Sequence, residues 1–434
     1  MLKVNIKFNI IKLMGGGMKT MTLGEKIKEM RKERGYTLVE LADGKITKGM
    51  LSLIENNKSK PSMDTLEYLA GKLGVSVSFL TQQGDVEWTK TILDRDELYD
   101  VFKFPVNLIE EEILPNSDKI SQSEDGMTIY HLLRVYYRYI GQRDKAEKIS
   151  EHIEGFYRNI GLEHLAIRDK LNNAVSMLYE RDYESAYETT KQTEKQVEKL
   201  KEYDVSIYIS YLFWRSIMAV DYNREEFIKY GELHLEECFK RENFKYFYLQ
   251  NLIFGFYYSY RDEWDKAEVY QENLRKYFAF NKSERYLFEI LDKNMPIKTY
   301  HLLKQPDDII EKTEAYIERM TKLSEQTESY SRQRNDFIEQ YKPIIELELE
   351  YYKKNYDYVI ENFSYKMYER PQAQHQLDRV SFAVRSMVYP LSLFELGRVD
   401  EARSSYQIIE DTIADIKDSV FAKEMYMIRD IIFG

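Results

Sequence analysis

The chain is short of several things. Among 434 residues there is one cysteine, Cys238, with only 8 prolines, 18 glycines and no apolar run near the length of a membrane span. A single cysteine excludes an intramolecular disulfide and fits a reducing compartment, the cytoplasm. Without ~18 consecutive apolar residues no helix is expected to cross a bilayer. Few helix breakers, together with abundant Leu, Ile, Glu, Lys and 37 tyrosines, give the balance of a mostly helical chain. The length suits two or three domains.

Motifs of catalysis are also missing. The sequence contains no G-x-x-x-x-G-K-[ST], H-E-x-x-H or C-x-x-C, so no enzyme, metal or cofactor is expected. Its six histidines are scattered. His131, His152, His164 and His234 read as helix-surface or packing residues.

What is present starts with a leader, MLKVNIKFNIIKLMGGGMKT. Lysines and asparagines interrupt its apolar residues, so it lacks the apolar core of a secretion signal. Three glycines before Met18 and Met21 are what a purine-rich ribosome-binding site yields when translated. The expected start is therefore Met21 or Met18; the alternative is a disordered or strand-like arm over residues 1–20.

Charge is unevenly spread. The chain carries −11 in all, but Met18 to Gln82 holds 11 Lys/Arg against 8 Asp/Glu. With three lysines in residues 1–17, residues 83–434 are left at −17. A small basic head on an acidic body places any nucleic-acid contact on the head.

In the head, Leu23, Ile27 and Met30 recur at i, i+4 and i+7, one stripe of an amphipathic helix that Gly35 ends. Thr37 with Glu40 makes a capping box for a second helix burying Leu41 and Ala42. Asp43-Gly44-Lys45 turns the chain, and Thr47 caps a third helix to about Asn56 that buries Leu51 and Ile54. Ser62 opens a fourth helix carrying Leu66, Leu69 and Leu73, closed by Gly74. The series T-x-x-E-L-A…I-T-x-x-x-L-S-x-I-E-N-x-K-x-x-P-S…L-A-x-x-L-G-V-S resembles the helix-turn-helix of the XRE/Cro family. That resemblance implies a third helix lying in the major groove of duplex DNA. It puts Thr47, Lys48, Gly49 and Ser52 at the groove, Asn56, Lys58 and Lys60 near phosphates, and Thr37 and Lys45 on the same surface. Leu38, Leu53 and Asn57 depart from the pattern, replacing polar residues and a glycine. Leu53 either meets a thymine methyl, or packs with Leu38 or on a neighbouring subunit; both leucines stay open at this point.

Beyond Gln83 comes a connector, residues 83–126, whose NSDKISQSEDG (Asn116 to Gly126) reads as a loop. From residue 127 to 434 a repeat emerges. Polar turns such as GQRDKAEKI, YERDYESAYET, YRDEWDKAEVY and LGRVDEARSSY each follow a tyrosine-rich apolar helix and open another. Their anchors are Ala146, Ala186, Phe227, Ala267, Ile309, Val359 and Ala402, separated by 40, 41, 40, 42, 50 and 43 residues. Seven helical hairpins in series make an α-solenoid, and D-x-x-x-A after an aromatic helix resembles a lengthened tetratricopeptide repeat. The expected fold is all-α: a helix-turn-helix domain over 21–82, then a TPR-like solenoid. Such stacks bind extended peptides, whose unpaired backbone groups an asparagine amide can satisfy. Asn172, Asn173, Arg215, Asn251 and Asn294 lie at similar offsets before the anchors and are the candidates; the alternative is that they cross-link neighbouring helices.

A head of this type on such a body resembles the RRNPP family of peptide-pheromone receptors. The segments MTLGEKIKEMRKERG and KGMLSLIEN are most similar to the neutral-protease regulators within it. The resemblance implies a quorum-sensing transcriptional regulator in which a short signalling peptide sets oligomeric state, a homodimer or higher, and binding to a DNA operator. It also implies a further partner, a phosphorelay response regulator, because relatives with this body and no head bind such proteins. A protein-binding solenoid of that kind, with DNA binding secondary or lost, is the alternative.

Overall fold

The computed structural model describes residues 22–75, 77, 80, 84–98, 104–280, 302–303, 307–325, 331–368, 375–416 and 419–434. Every regular element among them is helical. They fall into two compact units, one ending at Ile207 and one beginning at Tyr208.

The first unit begins with four helices, α1 (Leu23–Glu33), α2 (Leu38–Ala42), α3 (Lys48–Glu55) and α4 (Met63–Lys72). Each starts where a hydroxyl caps it: Thr22, Thr37, Thr47 and Ser62 accept from the backbone N–H three residues on. Such caps satisfy donors that a helix start leaves unpaired, at about 1 kcal/mol each. The expected apolar stripes close the core, with Ile27, Leu41, Leu51, Leu69 and Leu73 fully buried.

Next come α5 (Val86–Leu93) and a helical run from Val106 to Lys119. Hairpins follow: α6 (Glu124–Tyr139) with α7 (Arg143–Asn159), then α8 (Glu163–Met177) with α9 (Tyr183–Gln192) and the short α10 (Glu194–Glu198). The NSDKISQSEDG stretch differs from the expected loop. Its polar residues act as caps and ties: Ser123 caps α6, and the Ser121 N–H donates to Thr89 Oγ1 at 3.0 Å. Ser121 also passes so close to two glycines that a Cβ on Gly84 would stand 2.5 Å from its Cα, and one on Gly126 would overlap its carbonyl. Only glycine admits that approach. The helix-turn-helix core is continuous with the first hairpins, through Met127 of α6, Ile153, Phe156 and Tyr157 of α7, and Leu165 and Ala166 of α8.

The second unit opens within α11 (Val205–Ala219), paired with α12 (Arg224–Lys240), and continues with α13 (Phe247–Tyr260) and α14 (Trp264–Phe280). Then come α15 (Ile309–Glu325), α16 (Ser331–Tyr352), α17 (Tyr356–Asn362), α18 (Gln376–Ser386), α19 (Val388–Glu395), α20 (Val399–Asp411) and α21 (Lys423–Phe433). Aromatic rings fill this unit: Phe213 stacks on Tyr246 at 4.5 Å, and Phe227 meets Phe254 and Tyr257 edge-on. Burying one such ring contributes about 2–3 kcal/mol.

The repeat is visible in both units. All seven anchors are buried, none more than 3% exposed. Five of the turns before them reverse at a residue in the left-handed region: Gly141, Arg181, Asp262, Lys354 and Gly397. The N–H of the residue just before the next helix then closes on a carbonyl five residues back, as Gln142 does on Tyr137 at 2.7 Å. The sequence is thus a helix-turn-helix head followed by solenoid-like helical hairpins.

Candidate nucleic-acid interface and ligand-facing residues

Helix α3 presents two faces. Leu51 and Ile54 are buried in the head core, while Thr47, Lys48 and Gly49 are exposed, Ser52 is half-buried and Leu53 is 45% exposed. Asn56, Lys58 and Lys60 continue the exposed surface past the helix end, and Lys45 and Thr37 lie exposed before it. The two leucines part company. Leu38 is half-buried and packs on the head core, whereas Leu53 stands outside that core.

Some of these polar groups are partly engaged. Thr37 Oγ1 accepts from the Glu40 N–H at 3.2 Å, and Thr47 Oγ1 from the Met50 N–H at 3.0 Å. The Asn56 amide donates to the Ser52 carbonyl at 2.7 Å. That capping box lowers the Glu40 carboxyl, because it accepts from the Thr37 backbone and side chain.

Two features of the head escaped the sequence reading. Arg31 and Glu55 form a buried bidentate pair, with Nε to Oε1 at 2.6 Å and Nη2 to Oε2 at 2.9 Å. The signal was there: Arg31 lies four residues after Ile27, on the apolar stripe, where a charge requires a partner. Asn57 takes φ +56° and reaches back to α1, where its Oδ1 accepts the Gly24 N–H at 3.1 Å.

The candidate ligand residues are distributed over both units. In the first, Asn172 is 5% exposed and its Nδ2 has no hydrogen-bond partner. Asn173 is half-buried and its Oδ1 accepts from Arg138 at 3.2 Å and from the Ser176 hydroxyl at 3.3 Å. In the second, Arg215 is buried, ion-paired with Glu226 at 2.6 Å and set 5.0 Å from the Tyr230 ring. Asn251 is fully buried, donating to the Phe247 carbonyl at 2.8 Å and accepting from Asn273 at 3.0 Å. Asn294 lies outside the described residues.

A polar ladder between α6 and α8 was not foreseen. Arg134 grips Asp169 bidentately at 2.7 and 2.8 Å, and its Nη2 also meets His131 Nδ1 at 2.5 Å. Burial, aided by the Arg134 charge, pushes the His131 imidazole down to about 4. Burial alone would raise Asp169, but Arg134 and the His131 hydrogen bond outweigh it and hold the carboxyl at about 2. One turn on, Arg138 bonds Glu180 at 2.9 Å and pairs with Glu147. The sequence signal is the 35-residue offset between Arg134 and Asp169, repeated by Arg138 and Asn173.

Among the described residues no group of three or more His, Cys, Asp or Glu is placed to hold a metal ion, and no helix is long and apolar enough to cross a membrane.

Comparison with known proteins locates the head. Residues 27–80 match the helix-turn-helix family HTH_3. The immunity repressor protein of Bacillus phage phi105 is 46% identical over 59 residues, 13% of this chain and 41% of the repressor. This chain thus spans about two fifths of that protein's length. The HTH-type transcriptional regulator SinR of Bacillus subtilis (strain 168) is 40% identical over 83 residues, 17% of this chain and 75% of SinR. Among solved structures, Bacillus thuringiensis PlcR in complex with the peptide PapR7 and DNA is 17% identical, with a TM-score of 0.35 over 63% of this chain and 99% of PlcR. The apo form of ComR from S. thermophilus is 18% identical, with a TM-score of 0.20 over 69% of this chain and 94% of ComR. Through its N-terminal head, the chain belongs to the HTH_3 helix-turn-helix family, whose matched relatives are transcriptional regulators.

Proposed function

We propose that this chain is a cytoplasmic, peptide-gated transcriptional regulator of the quorum-sensing kind. The observation that carries the DNA half is the division of α3: Leu51 and Ile54 lock one face into the core, while Thr47, Lys48, Gly49 and Leu53 stand exposed on the other. Those residues, with Ser52, meet base edges in the major groove. Asn56, Lys58 and Lys60, with Lys45 and Thr37 beside them, meet phosphates.

The peptide half rests on the repeat type and on the uncommitted amide of Asn172, a buried donor that an extended backbone could satisfy. Asn173 and Arg215 would exchange their present partners for the ligand. Two heads reading a two-fold operator require at least a homodimer, and the peptide would act by fixing that assembly. Within the peptide-pheromone receptors we set it nearest the neutral-protease regulators, on the head segment MTLGEKIKEMRKERG.

The test is fluorescence anisotropy of the full chain with duplexes tiled from its own upstream region. Each is measured with and without synthetic peptides from short reading frames beside the gene. Specific binding to one duplex that a peptide changes supports the reading. Equal operator affinity in saturating peptide removes the gating half. If no duplex binds under any condition, the DNA half is lost and a protein partner of the repeats should be sought.

A further inference from the structure

We infer that Asn57 is a positioning residue for DNA binding: its side-chain amide clasps the first turn of α1 to the C-terminal end of α3. The inference rests on the DNA reading above and adds to it a residue that touches no base.

The end of α3 is a Schellman turn. The Lys58 N–H donates to the Leu53 carbonyl at 2.8 Å, and the Asn57 N–H to that of Ile54 at 3.0 Å. The residue between must take positive φ, and glycine is the usual occupant. This chain uses glycine in the same role after α1 and α4, at Gly35 and Gly74, but asparagine after α3. What asparagine adds is its amide. Oδ1 accepts the Gly24 N–H at 3.1 Å, and Nδ2 donates to Thr22 Oγ1.

Gly24 is the second residue of α1, so its N–H is one of the donors that a helix start cannot satisfy internally. Thr22 caps the N–H of Glu25; Asn57 caps that of Gly24 from across the head. The two segments are in tight register. A Cβ on Gly24 would lie 2.1 Å from the Ile54 carbonyl oxygen and 2.7 Å from Asn57 Oδ1. Asn57 therefore fixes the turn that displays Asn56 before it and Lys58 after it, both exposed and both proposed to meet phosphate.

The test compares the full chain with Asn57→Gly, which keeps the turn and deletes the amide, and with Asn57→Asp, which keeps the Oδ1 acceptor. Amide hydrogen exchange at Gly24 reads the clasp, and anisotropy with a mixed-sequence duplex reads the function. Gly24 exchange should rise in Asn57→Gly and be restored in Asn57→Asp. Duplex affinity of Asn57→Gly should fall about fivefold, the size of one modest hydrogen bond, with an unchanged salt slope because no cation is removed. Unaltered Gly24 exchange in Asn57→Gly overturns the clasp. Raised exchange with unaltered affinity overturns the positioning role. If the wild-type chain binds no duplex, the DNA reading falls and the positioning role with it, while Gly24 exchange still decides whether the clasp exists.

Discussion

Arg31 on α1 and Glu55 at the end of α3 lock those two helices together across the head. Two nitrogen–oxygen bonds of 2.6 and 2.9 Å join them, and Arg31 Nη1 donates to the Tyr36 carbonyl at 2.9 Å. Both side chains are out of water, and the Glu55 partnership raises the Arg31 guanidinium above its usual range. Removing one partner of such a pair leaves the other charge buried alone, at a cost of about 3–5 kcal/mol. Glu55→Ala is therefore expected to unfold the head locally, seen as lost amide protection throughout α1 and α3 and lost duplex binding. Retained protection there would mean that Arg31 finds water instead.

The exposed face of α3 makes a separable prediction. Lys58→Ala, just past the helix end, should weaken binding to all duplexes alike and reduce the salt slope by about one. Leu53→Gln should leave stability within about 0.5 kcal/mol, as expected for a side chain outside the core, yet change which duplex is preferred. An unaltered preference would remove Leu53 from the reading surface.

Acid should weaken the first unit in two stages. His131 is buried with a pKa lowered to about 4, so the unfolded state takes up a proton first. Stability is then lost as the pH falls from about 6.5 towards 4, by roughly 3 kcal/mol at most. Asp169, held at about 2, contributes stability above pH ~4 that disappears as the pH falls through 2. Protection of the α6 and α8 amides measured down the pH scale checks both stages, and His131→Asn should reduce the first, leaving the smaller share of His152 and His164, which burial also lowers.

Glu424 in the second unit has the opposite sign. Burial raises its carboxyl to about 7, although the Leu303 and Leu302 N–H groups oppose the rise and bond it at 3.2 and 2.8 Å. A raised acid is stabilising while protonated, so this contribution falls as pH climbs from about 4.5 through 7. Glu424→Gln keeps the acceptor without the charge. It should be more stable than wild type at pH 8 and lose that advantage near pH 5, by urea titration of the full chain.

The turn before α17 carries Lys354 at φ +60°, exposed, where glycine would sit without strain. Lys354→Gly should stabilise by about 0.5–1 kcal/mol, the left-handed penalty less the entropy glycine loses. A fall in the denaturation midpoint would show that the lysine stem packs usefully on its neighbours.

Local signals fixed a good deal of this protein in advance. Thr37 with Glu40 and Thr47 before its helix set the head's boundaries, because a cap acts over three residues and is readable from three residues. Small or apolar anchors some 40 residues apart marked the hairpins, since each must bury one residue against its own partner helix. Other features were decided only in three dimensions. Ser121 read as a loop former until Thr89, 32 residues away and across a fold closed by Gly84 and Gly126, accepted its backbone N–H. Asn251 looked available to a ligand by its offset alone; Asn273, 22 residues away, takes its carbonyl. Whether Arg31, Arg134 or Asn57 is free or committed depends on groups 24 to 35 residues distant. Caps and stripes are properties of neighbouring residues, whereas the partner of a buried polar group is a property of packing, and only the tertiary structure supplies it.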